Sequence, residues 1–129
     1  MANILIVEDE KVLRDAYKLT LERDGHSIRL AANGKEALEA ATAEQPDIIL
    51  LDILMPEMNG LEFLEKYDVL RNHPEVKVVV LSNVGQDHEV GKAIDLGAYK
   101  YIVKAHASPQ DLSALVKHLI RKNLDKTPA

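Results

Sequence analysis

Residues 47 to 60 read Asp47-Ile-Ile-Leu-Leu-Asp52-Ile-Leu-Met-Pro56-Glu-Met-Asn-Gly60. A run of large apolar residues ends in a carboxylate, and the chain then breaks into a loop punctuated by Pro56 and Gly60. An unbroken apolar run from Ile48 to Leu51 suits a strand covered on both faces, as in a parallel sheet flanked by helices. Such a strand delivers Asp52 to the edge of the sheet.

Working outward, the same grammar repeats. Asn3-Ile-Leu-Ile-Val-Glu8 is a short β-branched run ending in two acids, Glu8 and Asp9. Leu13, Ala16, Tyr17, Thr20 and Leu21 recur at helical spacing, and Gly25 stands where a left-handed C-terminal cap belongs. Ser27 to Leu30 alternates as a partly exposed strand does. Asn33-Gly34 opens a second helix through Ala37, Leu38 and Ala41, which Pro46 stops. Asn59 with Glu62 three residues on predicts a capped third helix through Leu61, Leu64 and on toward Leu70. Val76 to Leu81 is a fourth strand ending at Ser82, and a helix follows from about Asp87 with Gly97 beyond its end. Tyr99 to Val103 is a fifth strand ending at Lys104. Ser108 and Pro109 then start a last helix striped by Leu112, Leu115, Val116, Leu119 and Ile120, with a frayed tail expected from Asn123. Five strands alternating with five helices imply an α/β fold with a doubly wound parallel sheet, whose ligands bind at the carboxyl ends of the strands.

Composition narrows the function classes. A chain of 129 residues, 47% hydrophobic, suits a single domain with one unit of core. It has no cysteine, which removes disulfides and thiolate metal sites and makes a reducing cytoplasm the expected location. No apolar run reaches the ~20 residues of a membrane span. A net charge of -5 and a scarcity of aromatic residues disfavour direct nucleic acid binding.

The chemistry lies in what each run ends in. Strand one ends in Glu8-Asp9, strand three in Asp52, strand four in Ser82 and strand five in Lys104. Three carboxylates on neighbouring strands repel one another unless protons or a cation intervene. An oxygen-only set without His or Cys favours a hard ion, and a few carboxylates plus waters suit Mg²⁺. A carboxylate beside Mg²⁺, with a hydroxyl and an ammonium nearby, has what is needed to accept a phosphoryl group: charge neutralisation, a hydrogen-bond donor and a nucleophile in Asp52.

In the order and spacing of Ile-Leu-Ile-Val-Glu8-Asp9-Glu, the Asp47 to Gly60 stretch, Val-Val-Val-Leu-Ser82 and Gly97-Ala-Tyr-Lys-Tyr101-Ile-Val-Lys104, the chain resembles the receiver domain of bacterial two-component response regulators over essentially its full length. The resemblance implies a flavodoxin-like (βα)5 sandwich with strand order 2-1-3-4-5, a receiver unit over residues 1–123 and a tail over 124–129. It implies that Asp52 accepts phosphate from a phosphohistidine on a sensor histidine kinase or phosphotransfer protein. Glu8, Asp9, Asp52 and the backbone carbonyl of Leu54 would hold Mg²⁺, and Ser82 and Lys104 would bind the phosphoryl oxygens. Ser82 and Tyr101 would act as the switch that remodels the face made by the fourth helix, fifth strand and fifth helix. The domain would catalyse only its own phosphorylation and dephosphorylation. It would act on a downstream protein target, as a monomer or a phosphorylation-dependent dimer.

Departures from the family pattern are informative. Glu8 stands where Asp is commoner and gives a longer reach to the ion. Ala105 replaces the usual proline after the lysine, and a cis bond before a non-proline costs about 2.5–4 kcal/mol, so a trans Lys104–Ala105 bond is expected. Asn83 is larger than the small residue usual after the hydroxyl. Leu54 and Val84 flank the site with apolar side chains, which implies a long-lived phosphoryl group. Lys100 replaces an acid that the winged-helix branch uses in dimer contacts. A phosphatase of the haloacid dehalogenase type would need an acid at Leu54, and a dinucleotide-binding enzyme a Gly-x-Gly-x-x-Gly turn where Glu8-Asp9-Glu10-Lys11 stands. A pseudo-receiver, keeping the fold without phosphorylation, draws only on Ala105 and Asn83.

Overall fold

In a computed structural model, residues 1–55, 57–83 and 85–125 are described. Pro56, Val84 and residues 126–129 lie outside them, so the expectation for Val84 and for most of the tail is not addressed.

Five parallel strands, β1 (Asn3–Val7), β2 (Ser27–Ala31), β3 (Ile48–Asp52), β4 (Lys77–Ser82) and β5 (Lys100–Val103), form one sheet in the order β2-β1-β3-β4-β5. The helices are α1 (Lys11–Arg23), α2 (Gly34–Ala43), α3 (Gly60–Tyr67), α4 (Val69–Asn72), α5 (Asp87–Asp95) and α6 (Pro109–Asp125), with a single 3₁₀ turn at Lys104–His106. This is the doubly wound fold expected, with one addition. The third helix stops at Tyr67 because Asp68 turns into the left-handed region (φ 53°), and the chain restarts as the four-residue α4. Leu70 therefore belongs to a separate turn, and the helix expected from about Asp87 is α5 by count. Val69 and Leu70 close over Gly97, where a Cβ would collide with the Val69 side chain. The last helix runs to Asp125, two residues past the boundary expected at 123.

Alternation along the strands splits the core in two. Leu5, Val7, Ile49, Leu51, Val78 and Val80 face α2, α3 and α5, meeting Ala37, Phe63, Leu64 and Val90. Ile4, Ile6, Ile48, Leu50, Val79 and Leu81 face α1 and α6, meeting Tyr17, Leu21, Leu112, Val116 and Leu119. Each fully buried aliphatic side chain contributes about 1.5–3 kcal/mol, and those of β1, β3 and β4 are enclosed on both sides. The caps are local. Asn33 Oδ1 accepts from Glu36 N at 2.8 Å, and Asn59 and Glu62 make the reciprocal capping box. Ser108 Oγ accepts from Asp111 N at 3.1 Å.

Candidate functional site

Register brings the strand ends together. Val7 pairs with Leu51, Asp52 with Leu81, and Ser82 with Val103. Glu8, Asp52, Ser82 and Lys104 therefore emerge within a residue or two of one another along the carboxyl edge. The pleat places Asp52 on the side of Ile48 and Leu50, and Glu8 on the side of Ile4 and Ile6, both toward α1 and α6.

Carboxylate oxygens of Glu8, Asp9 and Asp52 lie within 4.8 Å of one another. Glu8 is fully buried and Asp52 is 4% exposed, while Asp9 is exposed. Lys104 answers this charge: its Nζ lies 2.8 Å from Glu8 Oε1 and donates to Asp52 Oδ2 at 3.0 Å. Glu8 Oε1 is buried, and the Lys104 ammonium is the charge that compensates it. Glu8 Oε2 accepts from Glu10 N at 3.1 Å, and Arg14 donates to the Glu8 carbonyl at 2.7 Å.

The electrostatics follow from burial. Burial and then the neighbouring Glu8 carboxylate push Asp52 up to about 7; Lys104 opposes them and Asp9 adds a little. Burial drags Lys104 down, but Glu8 and Asp52 outweigh it and hold the ammonium above its ordinary value. The site is a carboxylate that resists ionisation beside a permanently charged amine, and a further cation would favour the carboxylate form. Three acid oxygens drawn from neighbouring strand ends, with no nitrogen or sulfur ligand, fit a hard divalent ion such as Mg²⁺.

The remaining expected residues sit around this centre. Ser82 is buried at the end of β4, and Asn83 after it is exposed, its N–H donating to Gln86 Oε1 at 2.7 Å. Leu54 is half exposed on the loop after Asp52. Tyr101 is half exposed on the edge strand β5. The Lys104–Ala105 bond is trans, as among all the described residues, and Lys104 still reaches both acids. Gly60 sets the loop: its N–H donates to Ile53 O at 2.8 Å, and a Cβ there would stand 2.7 Å from the Asp52 carbonyl. Two residues near the site carried no signal at the level of sequence pattern. Arg14 and Tyr17 both act through backbone carbonyls, of Glu8 and Ala107, which no motif reveals.

A doubly wound sheet with an acid cluster and an ammonium at its carboxyl edge defines a class of signalling domain. The chain belongs to the response regulator receiver domain family, whose model matches residues 4–117. It is thus a receiver domain of the two-component type. The transcriptional regulatory protein SrrA of Staphylococcus aureus is 37% identical over 124 residues, covering 96% of this chain and 50% of SrrA. The chain spans about half the length of the curated relatives it matches. A CheY-like receiver domain protein from Methanospirillum hungatei superposes with a TM-score of 0.85 at 31% identity, covering 96% of this chain and 97% of its own. The chemotaxis protein CheY4 of Vibrio cholerae gives 0.81 at 27%, covering 92% and 98%. Among the described residues, no helix is long and apolar enough to cross a membrane.

Proposed function

We propose that this receiver takes a phosphoryl group on Asp52 from the phosphohistidine of a sensor histidine kinase or phosphotransfer protein. The observation that carries the reading is the convergence of Glu8, Asp9 and Asp52 with the Lys104 ammonium in their midst. Lys104 engages Oδ2 of Asp52 and leaves Oδ1 to attack phosphorus. The O–P bond forms as the N–P bond of the phosphohistidine breaks, and the imidazole nitrogen leaves with the electron pair and takes up a proton. Lys104 and the Ser82 hydroxyl receive the transferred oxygens.

Glu8, Asp9, Asp52 and the Leu54 carbonyl are the groups that would hold Mg²⁺. When bound, the ion supplies charge neutralisation for the anionic carboxylate and phosphoryl oxygens. Residues 1–123 act as the signalling unit. The domain catalyses only its own phosphorylation and dephosphorylation, in the cytoplasm, with no direct contact to nucleic acid. Its output is a change at the face of α5, β5 and α6: Ser82 is drawn toward the phosphoryl group and Tyr101 changes its packing. A protein target, or a second copy of the chain, reads that face.

Incubation with Mg²⁺ and a small phosphodonor, followed by intact mass measurement, tests the reading. A phosphate-sized adduct is expected on the wild type and not on Asp52→Asn. A wild type that takes no adduct even from a cognate kinase overturns it and leaves a docking module.

A further inference from the structure

Lys104 must span the sheet edge to reach Glu8 and Asp52, yet the segment that aims it has little of its own to hold it. The 3₁₀ turn Lys104–His106 has no side-chain cap, and Ala105 and His106 are exposed. It is fixed at its far end instead. The N–H of Ala107 donates to the Lys104 carbonyl at 3.1 Å, and the Ala107 carbonyl accepts from Tyr17 Oη at 2.9 Å. Tyr17 is 1% exposed, packed with Leu21, Ala107, Leu112 and Val116 between α1 and α6. Two hydrogen bonds in series therefore tie the Lys104 backbone to a rigid ring on α1, 90 residues earlier in the chain.

We propose that Tyr17 is a positioning residue for Lys104, its hydroxyl holding the turn that aims the ammonium at the phosphoryl site. The inference rests on the reading of Asp52 as the phosphoacceptor and adds a part that the strand-end residues do not contain. A proline at 105 would stiffen this connection from within. Here, with alanine and a trans bond, the stiffness comes from outside, through a side chain whose reach and polar tip suit the task. The site lies close enough for its charges to be felt at the phenol: burial first, and then Glu8, push Tyr17 up to about 12, so the hydroxyl stays a donor at any working pH.

Tyr17→Phe removes the donor and keeps the ring in its place. With Mg²⁺ and saturating phosphoramidate, the maximal rate of Asp52 phosphorylation is expected to fall by roughly 10- to 100-fold, the upper end being the cost of a ~1 Å misplacement caused from a distance. The Mg²⁺ dependence should not change. In a Lys104→Ala background the same substitution should have no further effect, because the residue it positions is gone. Acylation of Lys104 by a water-soluble reagent, read by peptide mass spectrometry, should quicken several-fold in Tyr17→Phe while Lys18 and Lys117 react as before. A variant as fast as wild type, a second loss of equal size in the Lys104→Ala background, or unchanged Lys104 acylation overturns the proposal. A wild type that never phosphorylates refutes the phosphoacceptor reading separately, since the acylation arm needs no phosphoryl transfer.

Discussion

Asp52 and Lys104 touch across an intervening strand: Oδ2 and Nζ are 3.0 Å apart although β4 lies between β3 and β5. Two strand spacings amount to roughly 10 Å, so the contact needs a long side chain and a backbone turned back over the sheet edge. The same ammonium meets Glu8, from β1, a strand further on. Replacing Lys104 with Ala leaves three crowded carboxylates uncompensated. Urea denaturation should show a loss of about 3 kcal/mol, as for removal of one partner from a buried ion pair. Saturating Mg²⁺ should restore part of that loss, and an equal loss with and without the ion would contradict this account.

The Asp52 carboxyl ionises reluctantly, and the sign of its effect on stability follows. Its value is raised to about 7 in the folded state from the ordinary 3.8, so between those limits the folded protein binds more protons than the unfolded chain. Stability contributed by this group is whole below pH ~4, declines as pH rises, and reaches its full penalty above pH ~7. Asp52→Asn should therefore raise the melting temperature at pH 7.5 by on the order of 10 °C in the absence of divalent ions. At pH 4 the two melting curves should coincide, and a constant gap across that range would argue against the assignment.

Mg²⁺ should stabilise the wild type in proportion to occupancy, by RT ln(1 + [Mg²⁺]/Kd). Asp9 is the exposed member of the acid cluster. Asp9→Asn should abolish most of the Mg²⁺-dependent rise in melting temperature while changing the metal-free value by less than ~0.5 kcal/mol, the usual scale for an exposed substitution. Titration calorimetry on both proteins gives the check.

Gly60 allows α3 to begin against the Asp52 backbone. A methyl group there meets the Asp52 carbonyl at 2.7 Å and Ile53 Cα at 3.0 Å, and backbone cannot step aside as a flexible side chain does. Gly60→Ala should cost roughly 2 kcal/mol, in the range for overpacking, and slow phosphorylation more than Asn59→Ala does. Similar phosphorylation rates in the two variants would show that the loop tolerates the shift.

Leu54 presents an apolar, half-exposed side chain beside the site and offers nothing to orient a hydrolytic water. A variant with polar residues at positions 54 and 84 should lose its phosphoryl group faster than wild type, measured as decay of the phosphorylated mass after donor removal. A wild-type half-life no longer than the variant's would sink this expectation.

Most of the sheet could be read from the sequence because each strand is a short apolar run with a distinct ending, and because Asn33, Asn59 and Ser108 announce their helices with side-chain caps. What escaped reading had no local signature. The break at Asp68 is made by a non-glycine residue in the left-handed region, and no glycine or proline between Leu64 and Leu70 marks it in the sequence. Periodicity reports which side is buried and not where the axis changes direction. Tyr17 looked like one more apolar helix position, since its partner is a backbone carbonyl far along the chain. The acids, the hydroxyl and the ammonium were legible as strand endings; that one amine would serve two of the acids depends on register.

The order in which the chain supplies these groups has a consequence for folding. The acids come from β1 and β3 and the compensating amine only after β5, with α6 needed to seat Ala107 against Tyr17. A chain folded only as far as β4 has its acids crowded and without the Lys104 amine, so the partial sheet is penalised until β5 and the turn after it are in place. The acid cluster thus ties completion of the sheet to the docking of its last strand.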